Sequence, residues 1–388
     1  MATGDFVRTQ HEGEVVEAFV PNALPPRLDL SAPDLFRRVT KANLNLGRLD
    51  GIRTTLPNID LFLYFYVRKE ALLSSQIEGT QSSFSDLLLF EADAAAPSVS
   101  VDDVTEVTNY IAAMNEGLER LRSLPISMRL LRELHAILMR GVRGQHKRPG
   151  EFRTSQNWIG GSRPGNAHFV PPPPDRVVDL LSDLERFIHS DTLSEAPLVK
   201  AALVHVQFET IHPFLDGNGR LGRLLITLML VDGKVLNAPL LYLSLYMKTR
   251  RSDYYRLLTE VRETGAWSDW VAFFLDGVAD TAEQAHATAL SLLERFEADA
   301  AELRTMGRVG DSALKVLQAM QKQPVTTAPD LIELLTGDGV SISPPTVRAA
   351  LARLTELGFV SQPTDRARNK LYIYKAPLAI LSEGTEPL

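Results

Sequence analysis

The chain has 388 residues, a formal net charge of −7 and a hydrophobic content of 45%. This length predicts two or three domains, and the acidic balance gives no overall attraction to nucleic acid or to an anionic membrane. The absence of cysteine excludes disulfides, thiolate metal sites and cysteine nucleophiles. The start of the chain is polar and the apolar runs are shorter than a membrane span, so we expect a cytoplasmic protein without membrane association.

An N-terminal region is predicted over residues 1–98. Residues 1–28 are polar and then rich in proline, which favours an extended arm over a folded unit. A long helical pattern covers residues 59–79, and it ends at Gly79 as helices commonly do. A Ser-x-x-Asp capping signal that starts at Ser83 predicts that helix resumes there.

Residues 99–275 are predicted to form a mainly helical core. Residues 104–121 place apolar side chains at the three-and-four spacing of one buried helix face. Residues 149–174 are dense in Gly and Pro and contain two extended pieces, which predicts a β-hairpin that leaves the helical body. The long Ala- and Glu-rich pattern that follows predicts a connecting helix over residues 276–306.

Residues 307–388 are predicted to form a separate domain. Three short helical patterns precede an alternating pattern that is typical of two strands around a turn. Three helices and a hairpin at this size predict a winged helix-turn-helix domain. The predicted fold class is therefore mainly α, a helical core with a β-hairpin flap followed by this domain.

The charge of the C-terminal domain differs from that of the whole chain. Residues 305–376 contain nine Lys or Arg and six Asp or Glu, a net charge of +3. Five basic residues on its third helix and wing are candidate phosphate contacts, namely Arg348, Arg353, Arg366, Arg368 and Lys370. The sequence leaves two readings open: weak DNA binding, or a module that packs against the core or forms a homodimer.

The motif IHPFLDGNGRLGR, residues 211–223, lies between two apolar segments. It contains one His, one Pro, one Asp, one Asn, three Gly and two Arg. Pro213 ends the preceding helical pattern because it has no N–H and clashes with the previous turn, so His212 lies where a loop begins. Gly217 and Gly219 permit left-handed backbone, which turns consecutive N–H groups toward one anion. The next helix begins near these glycines, and its N-terminal amides face the same place.

The charged side chains of this motif fit a nucleotide phosphate. Arg220 and Arg223 are three residues apart on one face of the first helical turn, and both are permanent cations that bind phosphate. Asp216 offers a hard oxygen ligand for Mg²⁺ that already carries phosphate. His212 can accept a proton near neutral pH. Together these groups predict a nucleotide-phosphate site with a general base beside it.

At these residues the sequence resembles the Fic family. HPFLDGNGRLGR matches the family signature HPFx(D/E)GNGRxxR at every specified position. GEFRTSQNWIGG resembles the family's flap, and SSQIEG matches its inhibitory motif (S/T)xxxE(G/N), with Ser74, Glu78 and Gly79 in the required places. The resemblance extends over about residues 20–275 and implies a Fic-type helical core with a built-in inhibitory helix.

This resemblance implies a role for each residue of the motif. His212 is the implied general base, Asp216 the implied ligand of Mg²⁺ or Mn²⁺, and Tyr255 lies where the family often lines the adenine pocket. Five residues are implied to bind the phosphates of ATP: Gly217, Asn218, Gly219, Arg220 and Arg223. Four flap residues are implied to pair with an extended segment of the target: Asn157, Trp158, Ile159 and Gly160.

The activity that the resemblance implies is that of a protein adenylyltransferase. It transfers AMP from ATP to a Ser, Thr or Tyr hydroxyl of a target protein, including the enzyme itself. Gly at the position of Gly219 goes with AMP transfer, whereas phosphate-transferring relatives carry Lys there. Glu78 is implied to inhibit the enzyme by pairing with Arg223. Two alternatives stay open: removal of AMP, with Glu78 orienting a water, and a DNA-binding regulator with a Fic sensor core.

Overall fold

The fold was analysed in a computed structural model, which describes residues 3–11, 13–54, 59–91, 100–363 and 370–387. Over these residues the chain is mainly helical, so the predicted mainly α class is confirmed. The helices that build the body are α1 (Pro33–Gly51), α2 (Ile59–Ile77), α3 (Phe84–Glu91), α4 (Val101–Arg120), α5 (Met128–Leu138), α6 (Val177–His189), α7 (Pro197–Ile211), α8 (Asn218–Asp232), α9 (Ser244–Thr249), α10 (Arg251–Thr264) and α11 (Trp267–Arg304). They are followed by α12 (Gly307–Lys322), α13 (Ala328–Gly337), α14 (Pro344–Glu356) and α15 (Lys375–Ser382).

Two helices lie at the centre of the body and carry the site. In α7 every residue from Leu198 to Ile211 is buried, and in α2 every residue from Lys69 to Ile77 is buried. Helix α7 packs along α8, and both α2 and α4 also pack against α8. A helix that is buried on all sides is fixed by its whole surface. The residues just beyond the ends of α2 and α7 are therefore held in place by the core.

Residues 1–28 do not form an extended arm, so that expectation is wrong for the described part of this segment. Strands β1 (Gly4–His11) and β2 (Glu14–Pro21) pair antiparallel as a hairpin. The β-branched and aromatic run from Val15 to Val20 was the signal for a strand. The hairpin lies against the flap, because Phe19 donates its N–H to the Val170 carbonyl at 3.0 Å.

The flap region, residues 149–174, is only partly the predicted hairpin. Its extended pieces meet in a single bridge between Ile159 and Phe169 rather than in two strands. Gly160 and Gly161 both have left-handed backbone, with φ of 71° and 69°, and a run of prolines follows at 171–174. Prolines cannot donate to a strand ladder, so the excursion stays a loop with one point of pairing.

The C-terminal segment contains the predicted three helices and hairpin strands, with one strand that the sequence reading missed. Strands β3 (Val325–Thr327), β4 (Val360–Ser361) and β5 (Leu371–Tyr374) form an antiparallel sheet in the order β3-β5-β4. Arg366 and Arg368 lie outside the described residues. After α15 the chain returns to the helical body, where Gln76 of α2 donates to the Thr385 carbonyl at 2.8 Å.

Candidate functional site

The loop between α7 and α8 is shaped by its own side chains. Helix α7 ends at Ile211 and is capped by His212. The backbone of His212 is left-handed (φ 49°, ψ 62°), and its N–H donates to the Phe208 carbonyl at 2.9 Å. Phe214 donates its N–H to the Asn218 Oδ1 at 2.9 Å, and Asn218 Nδ2 donates to the Phe214 carbonyl at 2.9 Å. The Asn218 side chain, expected in the phosphate cradle, is therefore engaged in closing the loop. This pairing is required because the residue is only 2% exposed, and phosphate binding by the main-chain N–H of Asn218 stays a prediction.

His212 is held by a residue of the flap segment. Arg153 donates from Nε to the His212 carbonyl at 2.9 Å and from its main-chain N–H to the Pro213 carbonyl at 2.9 Å. Burial, reinforced by the charge of Arg153, lowers the pKa of His212 to about 4. The imidazole is thus neutral at physiological pH and able to accept a proton.

The start of α8 has the left-handed backbone that the sequence predicts at Gly217 but not at Gly219, which lies within the helix. Gly217 has left-handed backbone, with φ of 76°, and precedes the first helical residue. The first intrahelical hydrogen bond runs from the Leu221 N–H to the Gly217 carbonyl. Because the first N–H groups of a helix have no intrahelical partner, the amides at the start of α8 can bind an anion. They line a cavity of about 390 Å³ that also contains His212 and Asp216.

Arg220 is placed in this cavity by a carboxylate that the sequence reading missed. Its Nη1 lies 3.2 Å from the Glu106 Oε2, and both side chains are buried. Glu106 belongs to α4, where it stands among the apolar residues of the buried face. A Glu on such a face is costly unless it is paired. That pattern was the available signal for a buried cation nearby.

Arg223 is held by the segment that resembles the inhibitory motif. It donates from Nε to the Ser74 hydroxyl at 2.8 Å, and from Nη2 to the Ser74 carbonyl at 2.9 Å and to the Glu78 Oε1 at 2.6 Å. The Arg223 side chain is 1% exposed and that of Glu78 is 35% exposed. Partial desolvation raises the pKa of Glu78, but the charge of Arg223 outweighs it, so the pKa lies below the ordinary value.

Two glycines make room for this contact. Gly79 has φ of 102°, a conformation that L side chains rarely adopt, and lets the chain turn away directly after Glu78. A Cβ on Gly219 would clash with the Glu78 carboxylate. The carboxylate of Glu78 therefore lies directly over the amide nest, between its glycine and Arg223.

Asp216 is fixed at every oxygen. Its Oδ1 accepts the Gly217 N–H at 2.7 Å, its Oδ2 accepts the Lys147 ammonium at 3.1 Å, and its carbonyl accepts His135 Nε2 at 2.9 Å. The Nδ1 of His135 accepts the Gly150 N–H at 2.8 Å, so Nε2 carries the proton. Burial lowers the pKa of His135 to about 4. A neutral, packed His135 orients the loop that carries Asp216.

Tyr255 and the flap border the same site. Tyr255 is 41% exposed, and partial burial together with the charge of Glu78 raises its pKa. Asn157 donates from Nδ2 to the Phe214 carbonyl at 3.1 Å, so the flap is tied to the loop. Trp158 lies beside His11, with ring centroids 5.8 Å apart, and its pairing with a target segment stays a prediction.

Two family models match the chain. Residues 36–119 match the Fic/DOC family N-terminal model, and residues 125–230 match the Fic/DOC family model. The matched segments contain both Glu78 and the motif at 211–223. The models therefore cover the two halves of the contact between α2 and α8.

Curated relatives carry the name protein adenylyltransferase Fic. The protein of Drosophila erecta is 31% identical over 190 residues, which cover 48% of this chain and 35% of that relative. The protein of Drosophila virilis is 30% identical over 261 residues, which cover 66% of this chain and 48% of that relative. The chain thus spans less than half the length of these relatives.

Solved structures share the fold. A Fic family protein from Desulfovibrio desulfuricans G20 has a TM-score of 0.57 at 24% identity, covering 91% of this chain and 98% of its own. A Fic domain containing signaling protein from Bacteroides thetaiotaomicron VPI-5482 has a TM-score of 0.51 at 18% identity, covering 66% of this chain and 96% of its own. No helix within the described ranges has the length and apolar character needed to cross a membrane.

Proposed function

Since the chain belongs to the Fic/DOC family, we propose that it is a protein adenylyltransferase, which transfers AMP from ATP to a Ser, Thr or Tyr hydroxyl of a protein target or of the enzyme itself. The observation that carries this proposal is that His212 lines the same cavity as the residues at the start of α8. A base and a phosphate site in one cavity are the two requirements of the reaction.

The positions of these groups support the following course of the transfer. The target hydroxyl oxygen attacks the α-phosphorus while His212 takes its proton, and the bond from that phosphorus to the bridging oxygen breaks. Pyrophosphate leaves with the electron pair of that bond. The main-chain amides of Asn218 and Gly219 at the start of α8, with Arg220 and Arg223, stabilise the phosphate charge, so most of the catalysis is positioning and electrostatics.

Asp216 is the proposed metal ligand. The described residues contain no group of three or more His, Cys, Asp or Glu side chains that could hold a metal ion by themselves. Mg²⁺ in nucleotide sites is commonly bound by one or two carboxylates together with substrate phosphates and water, so a single oriented carboxylate fits. Mg²⁺ or Mn²⁺ bound there would neutralise phosphate charge, and Asp216 would be its ligand from the protein.

The contact between Glu78 and Arg223 supports a proposal of autoinhibition. The carboxylate engages the Nη2 of Arg223 at 2.6 Å and fills the space above Gly219. A phosphate cannot take the same space, and the negative charge repels it. The enzyme would therefore hold ATP out of line for attack until Glu78 moves.

Mass analysis of intact protein tests the activity. The Glu78→Gly variant is incubated with ATP and Mg²⁺, alone and with lysate, and the addition of one AMP group is the expected result. The matched control is the Glu78→Gly, His212→Ala double variant, which is expected to gain none. Equal labelling of both proteins, or of neither, would count against transfer by this site.

Two other readings have their own tests. A protein that removes AMP would release it from a target modified beforehand, with Glu78 orienting the water. A DNA-binding regulator would bind duplex through α14, where Arg348 and Arg353 are exposed, although Arg353 is already paired with Glu356 at 3.0 Å. A cytoplasmic location and a homodimer are part of the proposal and are tested by fractionation and by light scattering.

A further inference from the structure

The cavity at the start of α8 is also lined by basic residues from outside the motif at 211–223. The loop after α5 contributes Arg143, Gly144, His146 and Lys147 to the lining. Its turn is fixed by hydrogen bonds from the Lys147 N–H to the Gly144 carbonyl at 2.8 Å and from the Gln145 N–H to the Val142 carbonyl at 2.9 Å. The base of the Lys147 side chain is therefore held at a fixed place above the cavity.

This loop approaches Asp216 closely. Gly144 has φ of 86°, and a Cβ added to it would lie 2.7 Å from the Asp216 Oδ2. The Lys147 ammonium contacts that same oxygen at 3.1 Å. The other oxygen, Oδ1, already accepts the Gly217 N–H. Lys147 thus occupies the carboxylate oxygen of Asp216 that does not accept the Gly217 N–H.

Each carboxylate that lines the cavity has a cationic partner. Glu106 holds Arg220, Glu78 holds Arg223, and Asp216 holds Lys147. The pair of Glu106 is buried on both sides, with side-chain exposures of 5% and 3%. The pair of Asp216 is open, with exposures of 45% for Lys147 and 33% for Asp216, and open ion pairs exchange readily because they contribute little.

We propose that Lys147 binds the pyrophosphate leaving group. It covers Asp216 in the absence of nucleotide, and it moves to the β- and γ-phosphates when a divalent cation takes its place on the carboxylate. This inference rests on the proposed transfer of AMP. As the bond between the α-phosphorus and the bridging oxygen breaks, the electron pair stays on pyrophosphate, and the ammonium stabilises that added charge. No further proton is needed, because the hydroxyl proton goes to His212.

The chemistry of the side chain fits this role. A Lys ammonium is a compact charge on a flexible stem with three donors, and it can follow a phosphate group over a few ångströms. Lys147 contacts Asp216 rather than His212, so it acts on the phosphates that share a cation with Asp216 and not on the attacking hydroxyl. AMP, which lacks those phosphates, has no group for it to bind.

Titration calorimetry on variants of the Glu78→Gly protein tests this assignment, with pyrophosphate and AMP as separate ligands in the presence of Mn²⁺. Lys147→Gln is expected to weaken pyrophosphate binding by about tenfold or more, the loss of one charge-assisted hydrogen bond, and to leave AMP binding unchanged. The binding of Mn²⁺ alone, followed by electron paramagnetic resonance, is expected to tighten because its competitor is gone. The matched control is Arg148→Gln, which removes a neighbouring charge that is paired with Glu151 and is 51% exposed.

The outcomes separate this inference from the proposed function. Unchanged pyrophosphate binding in a folded Lys147→Gln protein would overturn the inference, as would an equal loss of AMP and pyrophosphate binding. An equal effect of Arg148→Gln would also overturn it, since the cause would then be net charge. If the parent Glu78→Gly protein binds neither ligand, the proposed nucleotide site itself fails and the inference fails with it.

Discussion

Replacing Glu78 with Gly is expected to raise AMP transfer well above the rate of the unmodified protein. The substitution removes the carboxylate above Gly219. It also frees one of the two N–H groups of the Arg223 Nη2 for a phosphate. Arg223 is expected to stay in place, because its Nε and Nη2 still donate to the hydroxyl and the carbonyl of Ser74. The variant therefore opens a site that is already formed.

The size of the gain follows from the contact that is lost. The Glu78 Oε1 accepts one hydrogen bond from Arg223 at 2.6 Å, and a hydrogen bond to a charged group is worth about 1.5–3 kcal/mol. ATP must break this bond before it can bind in line. Removing that cost is expected to raise the rate by roughly 10- to 150-fold at a subsaturating ATP concentration.

The assay is the initial rate of AMP incorporation from ATP labelled at the α-phosphate, with Mg²⁺ in excess. Glu78→Gln serves as the control that keeps the bulk of the side chain and removes its charge, and an intermediate gain is expected. Arg223→Ala added to Glu78→Gly is expected to abolish most of the gain. The reasoning is refuted if neither Glu78 variant gains activity, or if the Arg223→Ala substitution leaves the rate unchanged.

The remaining predictions concern the base, the metal and the C-terminal module. His212→Ala, in the Glu78→Gly background, is expected to abolish transfer while ATP binding, measured by calorimetry, stays within a few-fold; near-normal transfer would contradict the assignment. Because the pKa of His212 is lowered to about 4, the base stays neutral above that pH, so kcat/KM is expected to fall only as pH drops toward 4. A fall in kcat/KM centred near pH 6.5 would show that the pKa of His212 is not lowered. Asp216→Ala is expected to weaken Mn²⁺-dependent nucleotide binding, and excess chelator is expected to stop transfer; full activity in chelator would exclude the metal. Residues 305–376 are expected to give modest DNA binding that salt removes and Arg348→Ala weakens, whereas no binding at low salt would favour packing or dimerisation.

The contiguous part of the site was predictable from the sequence. The residues from His212 to Arg223 lie within one loop and the start of one helix. Residues that are close in sequence here are therefore also close in the structure. Glu78 is far from them in sequence, and only the resemblance to a family motif connected it with Arg223. The hydrogen bonds of the Asn218 side chain to Phe214 were not predicted, because a pattern of residue types does not say which polar atoms the loop needs for itself.

The rest of the site comes from elements that the sequence reading treated as packing. Glu106 and His135 lie on buried helix faces, Lys147 lies in the loop after α5, and Arg153 lies in the flap region. His135, Lys147 and Arg153 act through contacts with the loop at 212–217, and Glu106 acts through its contact with Arg220 of α8. Such contacts depend on how the helices pack. The N-terminal hairpin was missed for a different reason: its prolines and polar residues outweighed the β-branched run from Val15 to Val20.

The segment after α15 attaches the C-terminal module to the body at a second point, in addition to its covalent link through α11. Lys69 of α2 donates to the Glu383 carbonyl at 2.8 Å, and Gln76 donates to the Thr385 carbonyl at 2.8 Å. A module attached at two points cannot rotate about a single hinge. A force on the C-terminal module is therefore transmitted to α2. Gln76 precedes Glu78 by two residues. Truncation at residue 306, to isolate the enzymatic part, would remove the acceptors of two buried donors, Lys69 and Gln76. Rates measured on such a fragment would be those of a protein in which α2 is held less firmly.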